Sequence, residues 1–255
     1  MPTLCIDIGN TYAHLGVVEN CIVLDRCDID TRLVAVASPQ AQSIVEHYAS
    51  RSDGVAYASV VPVATSGLIS ILDKLGWAER AFNLRHDTLK GLNIAYPRPA
   101  EIGQDRLANS LGAQELCGLP VVAISMGTAT VFDVLTSEGY AGGMIAPGLA
   151  AFTEYLHEKT AQLPEIDPRD LDTPTAIGRS TDEAMKNGVR HGYIGMVKEM
   201  LSATLRELSR SGQRPPSIIT TGGGSGIIPE ESIPGLRHIA DLGLIGLEVA
   251  WRRAQ

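Results

Sequence analysis

Apolar and polar positions divide the chain into short buried runs, turn clusters and stretches of helical spacing. Residues 4–8 form an apolar run whose one polar member is Asp7, and turn residues Gly9-Asn10-Thr11 follow at once. That pattern predicts a buried strand ending in a tight turn. Residues 14–18 predict the returning strand of a hairpin, and 21–26 a third strand. Over 39–51 helical spacing puts Ile44, Val45 and Tyr48 on one face. A buried strand is expected over 56–61, ended by Pro62. A helix over 67–75 capped by Thr65 or Ser66, a short strand over 81–84 and a helix over 107–117 follow. Between the last two lies a loop punctuated by Pro and Gly, 96–106.

At 121–124 the chain starts again as it began. The segment 125–130, Ser-Met-Gly-Thr-Ala-Thr, repeats the plan of 7–11, with Gly127 answering Gly9 and Thr128 answering Asn10. Strands at 131–135 and 142–145 complete the pattern. Two unrelated strand-turn-strand units would look alike, but a true repeat predicts an α/β chain of two duplicated halves, 1–116 and 117–255. Beyond it come a helix over 147–160, a Pro/Asp-rich loop over 163–174, and a helix capped by Ser180 or Thr181 that runs to about Arg210. A strand over 218–221 runs into Gly222-Gly223-Gly224, and a short amphipathic helix over 242–253 ends the pattern.

Composition narrows the class. The 255 residues, 44% apolar and 20% charged, suit one large or two ordinary domains with a real core. A net charge of -8 argues against general nucleic-acid binding. No apolar stretch approaches the ~18–20 residues of a membrane span. Met1-Pro2-Thr3 precedes no basic-then-apolar leader, so a cytoplasmic location is expected. Four cysteines, Cys5, Cys21, Cys27 and Cys117, lack CxxC spacing and are expected to be buried, reduced core thiols. The histidines form no HExxH pair, so a structural metal or metalloprotease has little support.

The candidate chemistry follows from the turns. Gly9 lets backbone approach a ligand, the N–H groups of such a turn can cradle an anion, and Asp7 stands where a metal bound to that anion would stand. No Gly-Lys-Ser/Thr follows, so this is a phosphate hairpin rather than a Walker loop; an ordinary tight turn after a strand-end Asp is the other reading. Two such hairpins could clamp a polyphosphate, and the glycine run from Gly222 could take a flat ligand edge. Phosphoryl transfer also needs a base for the acceptor's proton, help worth roughly 10²- to 10⁴-fold. Asp105, between a glycine and an arginine just before a helix, is the best candidate. Arg106 could bind an acidic substrate or pair with Asp105. The same two residues also read as a helix N-cap and its solvated neighbour.

Six motifs in order, covering nearly the whole chain, carry a resemblance. They are Asp7-Ile8-Gly9-Asn10-Thr11, Gly103-Gln104-Asp105-Arg106, Gly127-Thr128-Ala129-Thr130 with Asp133, residues 142–148, residues 177–181, and Thr221-Gly222-Gly223. The set resembles type III pantothenate kinase. That resemblance implies two duplicated ribonuclease H-like domains of the actin, sugar-kinase and chaperone-ATPase kind. It also implies ATP-dependent phosphorylation of pantothenate, the first step of coenzyme A synthesis, with Mg²⁺ and a monovalent cation, potassium or ammonium. Carried over by position, Asp7, Ile8, Gly9, Asn10, Thr11, Tyr12, Ala13, His14 and Thr128 would contact ATP, with Gly222 and Gly223 beside it and Asp7 at the metal. Asp105 matches the catalytic base. Tyr96, Gly103, Gln104, Asp105, Arg106 and Thr181 match the pantothenate contacts, in a homodimer whose substrate site is completed at the interface.

One position departs. The family's second phosphate motif begins with an Asp that helps hold the monovalent cation, and this chain has Ser125 there. A hydroxyl can coordinate a cation but gives no Coulombic attraction, so affinity should fall. The alternative function is therefore a weakened or inactive, regulatory paralogue that binds a nucleotide or metabolite. A kinase for another small hydroxyl compound is the third reading.

Overall fold

The computed structural model describes residues 1–255. Strands β1 (Thr3–Ile8), β2 (Tyr12–Glu19) and β3 (Ile22–Asp30) form an antiparallel meander. Asp30 caps α1 (Thr31–Ala35), and α2 (Pro39–Ala49) leads to β4 (Gly54–Ser59), which pairs parallel with β1. Helix α3 (Pro62–Lys74) and the short strand β5 (Phe82–Asn83), parallel to β4, complete a five-stranded sheet of order β3-β2-β1-β4-β5. Helix α4 (Gln104–Cys117) follows.

The second sheet is built from β6 (Val121–Met126), β7 (Ala129–Thr136), β8 (Gly139–Pro147), β9 (Ser217–Thr221) and β10 (Leu236–His238). Helices α5 (Leu149–Lys159) and α6 (Thr181–Arg210) lie between β8 and β9 in the chain, and α7 (Leu242–Ala254) ends it. Its strand order, β8-β7-β6-β9-β10, repeats that of the first sheet. The duplication read from the two glycine turns is thus present in the topology.

Local sequence explains the elements. Central β1 is buried from Thr3 to Ile6 because neighbouring strands flank it and both its faces are covered. Edge strand β3 alternates exposed and half-buried positions. Helix α3 starts at Pro62, five residues earlier than its spacing suggests, because proline suits the first helical position. Thr65 and Ser66 are therefore not caps; their hydroxyls donate to the carbonyls of Val61 and Pro62, at 3.1 and 3.2 Å.

The last helix differs most from expectation. Every residue from Leu242 to Trp251 is buried, Glu248 included, so α7 is enclosed rather than amphipathic. It packs on α4, β1, β2 and β4. The compact units accordingly do not part at a single point near residue 116. The first comprises Met1–Val121, Leu135–Gly142 and Asp241–Gln255; the second comprises Val122–Val134 and Gly143–Ala240. All four cysteines are free thiols, but only Cys5 is fully buried; Cys21, Cys27 and Cys117 are half-buried. No helix is long and apolar enough to cross a membrane.

Candidate active site

In the first unit, β1 delivers Asp7 to the turn at 9–11. The Gly9 N–H donates to the Tyr12 carbonyl at 3.0 Å, and the Thr31 hydroxyl donates to the Gly9 carbonyl at 2.7 Å. Asn10, Thr11 and Tyr12 are exposed. Ile8 and Ala13 are wholly in the core, so they can offer a ligand only backbone. His14, paired across the ladder with Asp7, has its ring nitrogen 2.7 Å from the Asp28 carboxylate. Arg26 also grips Asp28, at 2.7 Å, and Asp241, at 2.6 Å.

Asp7 itself is half-buried, but its Oδ1 is enclosed and has no hydrogen-bond partner. A Cβ on Gly243, in the first turn of α7, would lie 2.9 Å from Asp7 Oδ2 and 3.4 Å from Asn109 Oδ1. Glycine is thus what admits the carboxylate at that spot. Burial, and then the charge of Asp105, push the Asp7 pKa up to about 7, while His14 opposes the rise.

Asp105 lies inside the first turn of α4, whose N-cap is Gly103, so it is not the cap that one sequence reading made it. Its Oδ1 accepts the Arg106 N–H at 2.9 Å. Burial raises its pKa, partly offset by that N–H and by the Arg106 charge. A Cβ on Gly103 would collide with Asp105 Oδ1. The Gly103 φ of -57° is open to any residue, so the glycine is needed for space and not for backbone freedom. Gln104 Oε1 accepts the Ser59 N–H at 2.8 Å and ties the start of α4 to the end of β4.

Tyr96 and Arg106 meet at a residue the motifs did not single out. The Tyr96 ring stands edge-on to Tyr140, with centroids 6.2 Å apart, and the Arg106 guanidinium carbon lies 5.8 Å from the Tyr140 centroid. Asn109, one turn beyond Asp105, was also missed; a buried amide on an otherwise apolar helix face was the available signal.

In the second unit, the turn after β6 repeats the first. The Gly127 N–H donates to the Ala129 carbonyl at 3.0 Å, and the Gly148 N–H donates to the Thr128 carbonyl at 3.1 Å. Thr128 is exposed, Ser125 half-buried and Met126 fully buried in the core. Gly222 has φ 89°, and a Cβ there would lie 2.7 Å from the Met126 carbonyl, which accepts the Gly224 N–H at 2.8 Å. The glycine run therefore packs directly on the base of the hairpin. Thr130 is buried, its hydroxyl 3.1 Å from the Pro147 carbonyl and 2.8 Å from the Tyr193 hydroxyl. Asp133 is buried on β7.

Ser180 caps α6 by accepting the Glu183 N–H at 3.1 Å, and Thr181 is its exposed first residue. Thr181 borders an apolar groove of about 760 Å³ between α5 and α6, lined by Phe152, Tyr155, Leu156, Met185 and Val189. The expected site residues thus fall into two sets. Residues 7–14, 96 and 103–106 lie in the first unit, and 125, 128, 181, 222 and 223 in the second.

The donor set fits a divalent cation. Asp7 offers a buried, unpartnered carboxylate oxygen, and its pKa shows that the Asp105 charge is felt there. One such oxygen fits Mg²⁺ in phosphoryl transfer, which takes one or two carboxylates and completes its shell with phosphate and water.

Two sheets of one strand order, each opening on a glycine-turn hairpin, give the chain the fold of the actin and sugar-kinase class. The solved activator of 2-hydroxyisocaproyl-CoA dehydratase from Clostridium difficile, with ADPNP bound, shares the fold. Its TM-score is 0.55 at 11% identity, over 100% of this chain and 96% of that one. The family model for type III pantothenate kinase matches residues 3–203. The type III pantothenate kinase of Akkermansia muciniphila is 40% identical, over 98% of each chain. That of Methylacidiphilum infernorum is 45% identical, over 88% of this chain and 79% of the relative. The chain belongs to the type III pantothenate kinase family, whose reaction is the phosphorylation of pantothenate in coenzyme A biosynthesis.

Proposed function

We propose that Asp105 is the base that takes the proton of the pantothenate primary hydroxyl as that oxygen attacks the γ-phosphorus of ATP, giving 4'-phosphopantothenate and ADP. The observation that carries this is the setting of Asp105. It is a half-buried carboxylate whose pKa burial raises, aimed by the Gly103 gap and the Arg106 N–H. A raised pKa makes the ionised carboxylate a stronger base. Backbone of the turn at 8–13, the exposed side chains of Asn10, Thr11 and Tyr12, His14, and Thr128 with Gly222 and Gly223 are the ATP contacts. Arg106, with Tyr96, Gly103, Gln104 and Thr181, holds pantothenate, the guanidinium facing its carboxylate. Asp7 would hold Mg²⁺, which when bound neutralises charge on the phosphates. Ser125 offers a hydroxyl to a monovalent cation. The protein acts in the cytoplasm as a homodimer, with the groove beside Thr181 as the contact face.

The test is an ADP-release assay with ATP, Mg²⁺ and pantothenate in potassium, ammonium or sodium salts. Asp105→Asn should abolish turnover and keep ATP binding; full activity in that variant removes the assigned role. Faster turnover in potassium or ammonium than in sodium supports a cation site that works without an Asp. Equal rates in all three salts count against it.

A further inference from the structure

We propose that Tyr140 is the positioning residue that makes the site select a carboxylate-bearing substrate, by holding Arg106 and Tyr96 in place together. The inference rests on the reading of Arg106 as the carboxylate contact.

Tyr140 is fully buried at the start of β8. Its backbone holds one segment of the site. The Tyr140 N–H donates to the Asn93 carbonyl at 2.8 Å, and its carbonyl accepts the Ala95 N–H at 2.9 Å. Ile94 thereby forms a parallel bridge with Tyr140. The Asn93 amide adds a bond to the Glu138 carbonyl at 2.6 Å. Residues 93–95 are stitched to the strand, and Tyr96 is the next residue along.

The ring holds the rest. Tyr96 meets it edge-on at 78°, an arrangement favoured by the aromatic quadrupole. Arg106 sits within cation–π distance of the same ring. Flanking glycines make room: Gly139 and Gly142 have φ of 116° and 126°, and a Cβ on Gly142 would lie 3.4 Å from the Tyr96 ring. A guanidinium held against a ring loses less side-chain freedom when a carboxylate arrives. The benefit goes to an anionic substrate and not to a neutral analogue, so Tyr140 acts on selectivity through Arg106.

The experiment compares pantothenate with pantothenyl alcohol, which lacks the carboxylate, in the wild type and in Tyr140→Leu, Tyr140→Phe and Arg106→Gln. Tyr140→Leu should raise the KM for pantothenate roughly tenfold and leave its kcat, and the KM for the alcohol, within about twofold. Tyr140→Phe keeps the ring and should keep the preference for pantothenate over the alcohol. An unchanged pantothenate KM in Tyr140→Leu, an equal loss on both substrates, or a loss confined to kcat would overturn the proposal. If circular dichroism shows Tyr140→Leu misfolded, pentafluorophenylalanine is compared with phenylalanine at position 140. Their sizes are close but the fluorinated ring face is electron-poor, so the pantothenate KM should rise, and no rise overturns the role. Selectivity lost in Arg106→Gln but intact in Tyr140→Leu defeats Tyr140 alone. A wild type that does not prefer pantothenate, or an Arg106→Gln variant that still does, defeats the Arg106 reading and this proposal together.

Discussion

Two carboxylates near one another resist carrying full charge together unless a cation joins them. Burial first, and the neighbouring Asp105 charge second, raise the Asp7 pKa from 3.8 to about 7. A folded-state pKa above the unfolded one means that the folded chain binds the extra proton between those values. The stability it contributes is full below the unfolded pKa and is lost as pH rises through about 7. Without metal or nucleotide, the Tm of the wild type should therefore fall more than that of Asp7→Asn between about pH 5 and about pH 8. Parallel curves for the two proteins would show that Asp7 does not titrate there. A second prediction concerns Gly103. Gly103→Ala should push the Asp105 carboxylate aside without straining the backbone, lowering kcat by about 10²-fold at nearly unchanged Tm, as small misplacements of reacting groups do. A kcat within about twofold of the wild type would mean that the carboxylate has other room. Asp7 and Asp105 stand out in the sequence because each stands beside turn residues. Gly103 stands out with them, but the room it leaves for the Asp105 carboxylate shows only in the structure. Asn109, Tyr140 and Gly243 stayed hidden because their partners come from distant parts of the chain.

Helix α7 shows what element-level pattern misses. Glu248, Arg252 and Arg253 gave its sequence a polar side, yet Glu248 is buried and meets Arg252 at 3.2 Å. Only its surroundings reveal that the helix is enclosed all round. Its crossing with α4 is close enough to need glycine on both helices. A Cβ on Gly246 would strike the Ala108 carbonyl, and one on Gly112 would lie 2.6 Å from the Leu242 carbonyl. Both obstacles are backbone, which cannot swing away. Gly246→Ala should cost about 1–3 kcal/mol by overpacking, despite alanine's better helix propensity. In exposed Gly195 on α6, where a Cβ meets nothing within 4 Å, the same change should gain about 0.5–1 kcal/mol. Denaturant melts of the two variants decide it: opposite signs support the close crossing, and stabilisation in both would refute it.

Across the whole molecule, the duplication could be read from the chain because each half repeats a strand, a glycine turn and a returning strand. The partition of the units could not, because α7 and residues 135–142 join the first unit by packing that no local pattern encodes. The groove on the second unit belongs to the same scale. Tyr155 and Leu156 line it and are 59% and 39% exposed, an apolar surface that a second copy of the chain would cover. A charge placed there must be desolvated if the copy docks, and it costs little if the face meets only water. On the homodimer reading, Leu156→Glu should therefore shift the protein from dimer to monomer in light scattering after size exclusion, with its circular dichroism unchanged. If Thr181 completes the pantothenate site across that interface, the same variant should raise the KM for pantothenate more than that for ATP. A variant that remains dimeric would move the interface elsewhere. A monomeric variant with unchanged KM would locate the interface at this groove but show that each chain's substrate site is complete on its own.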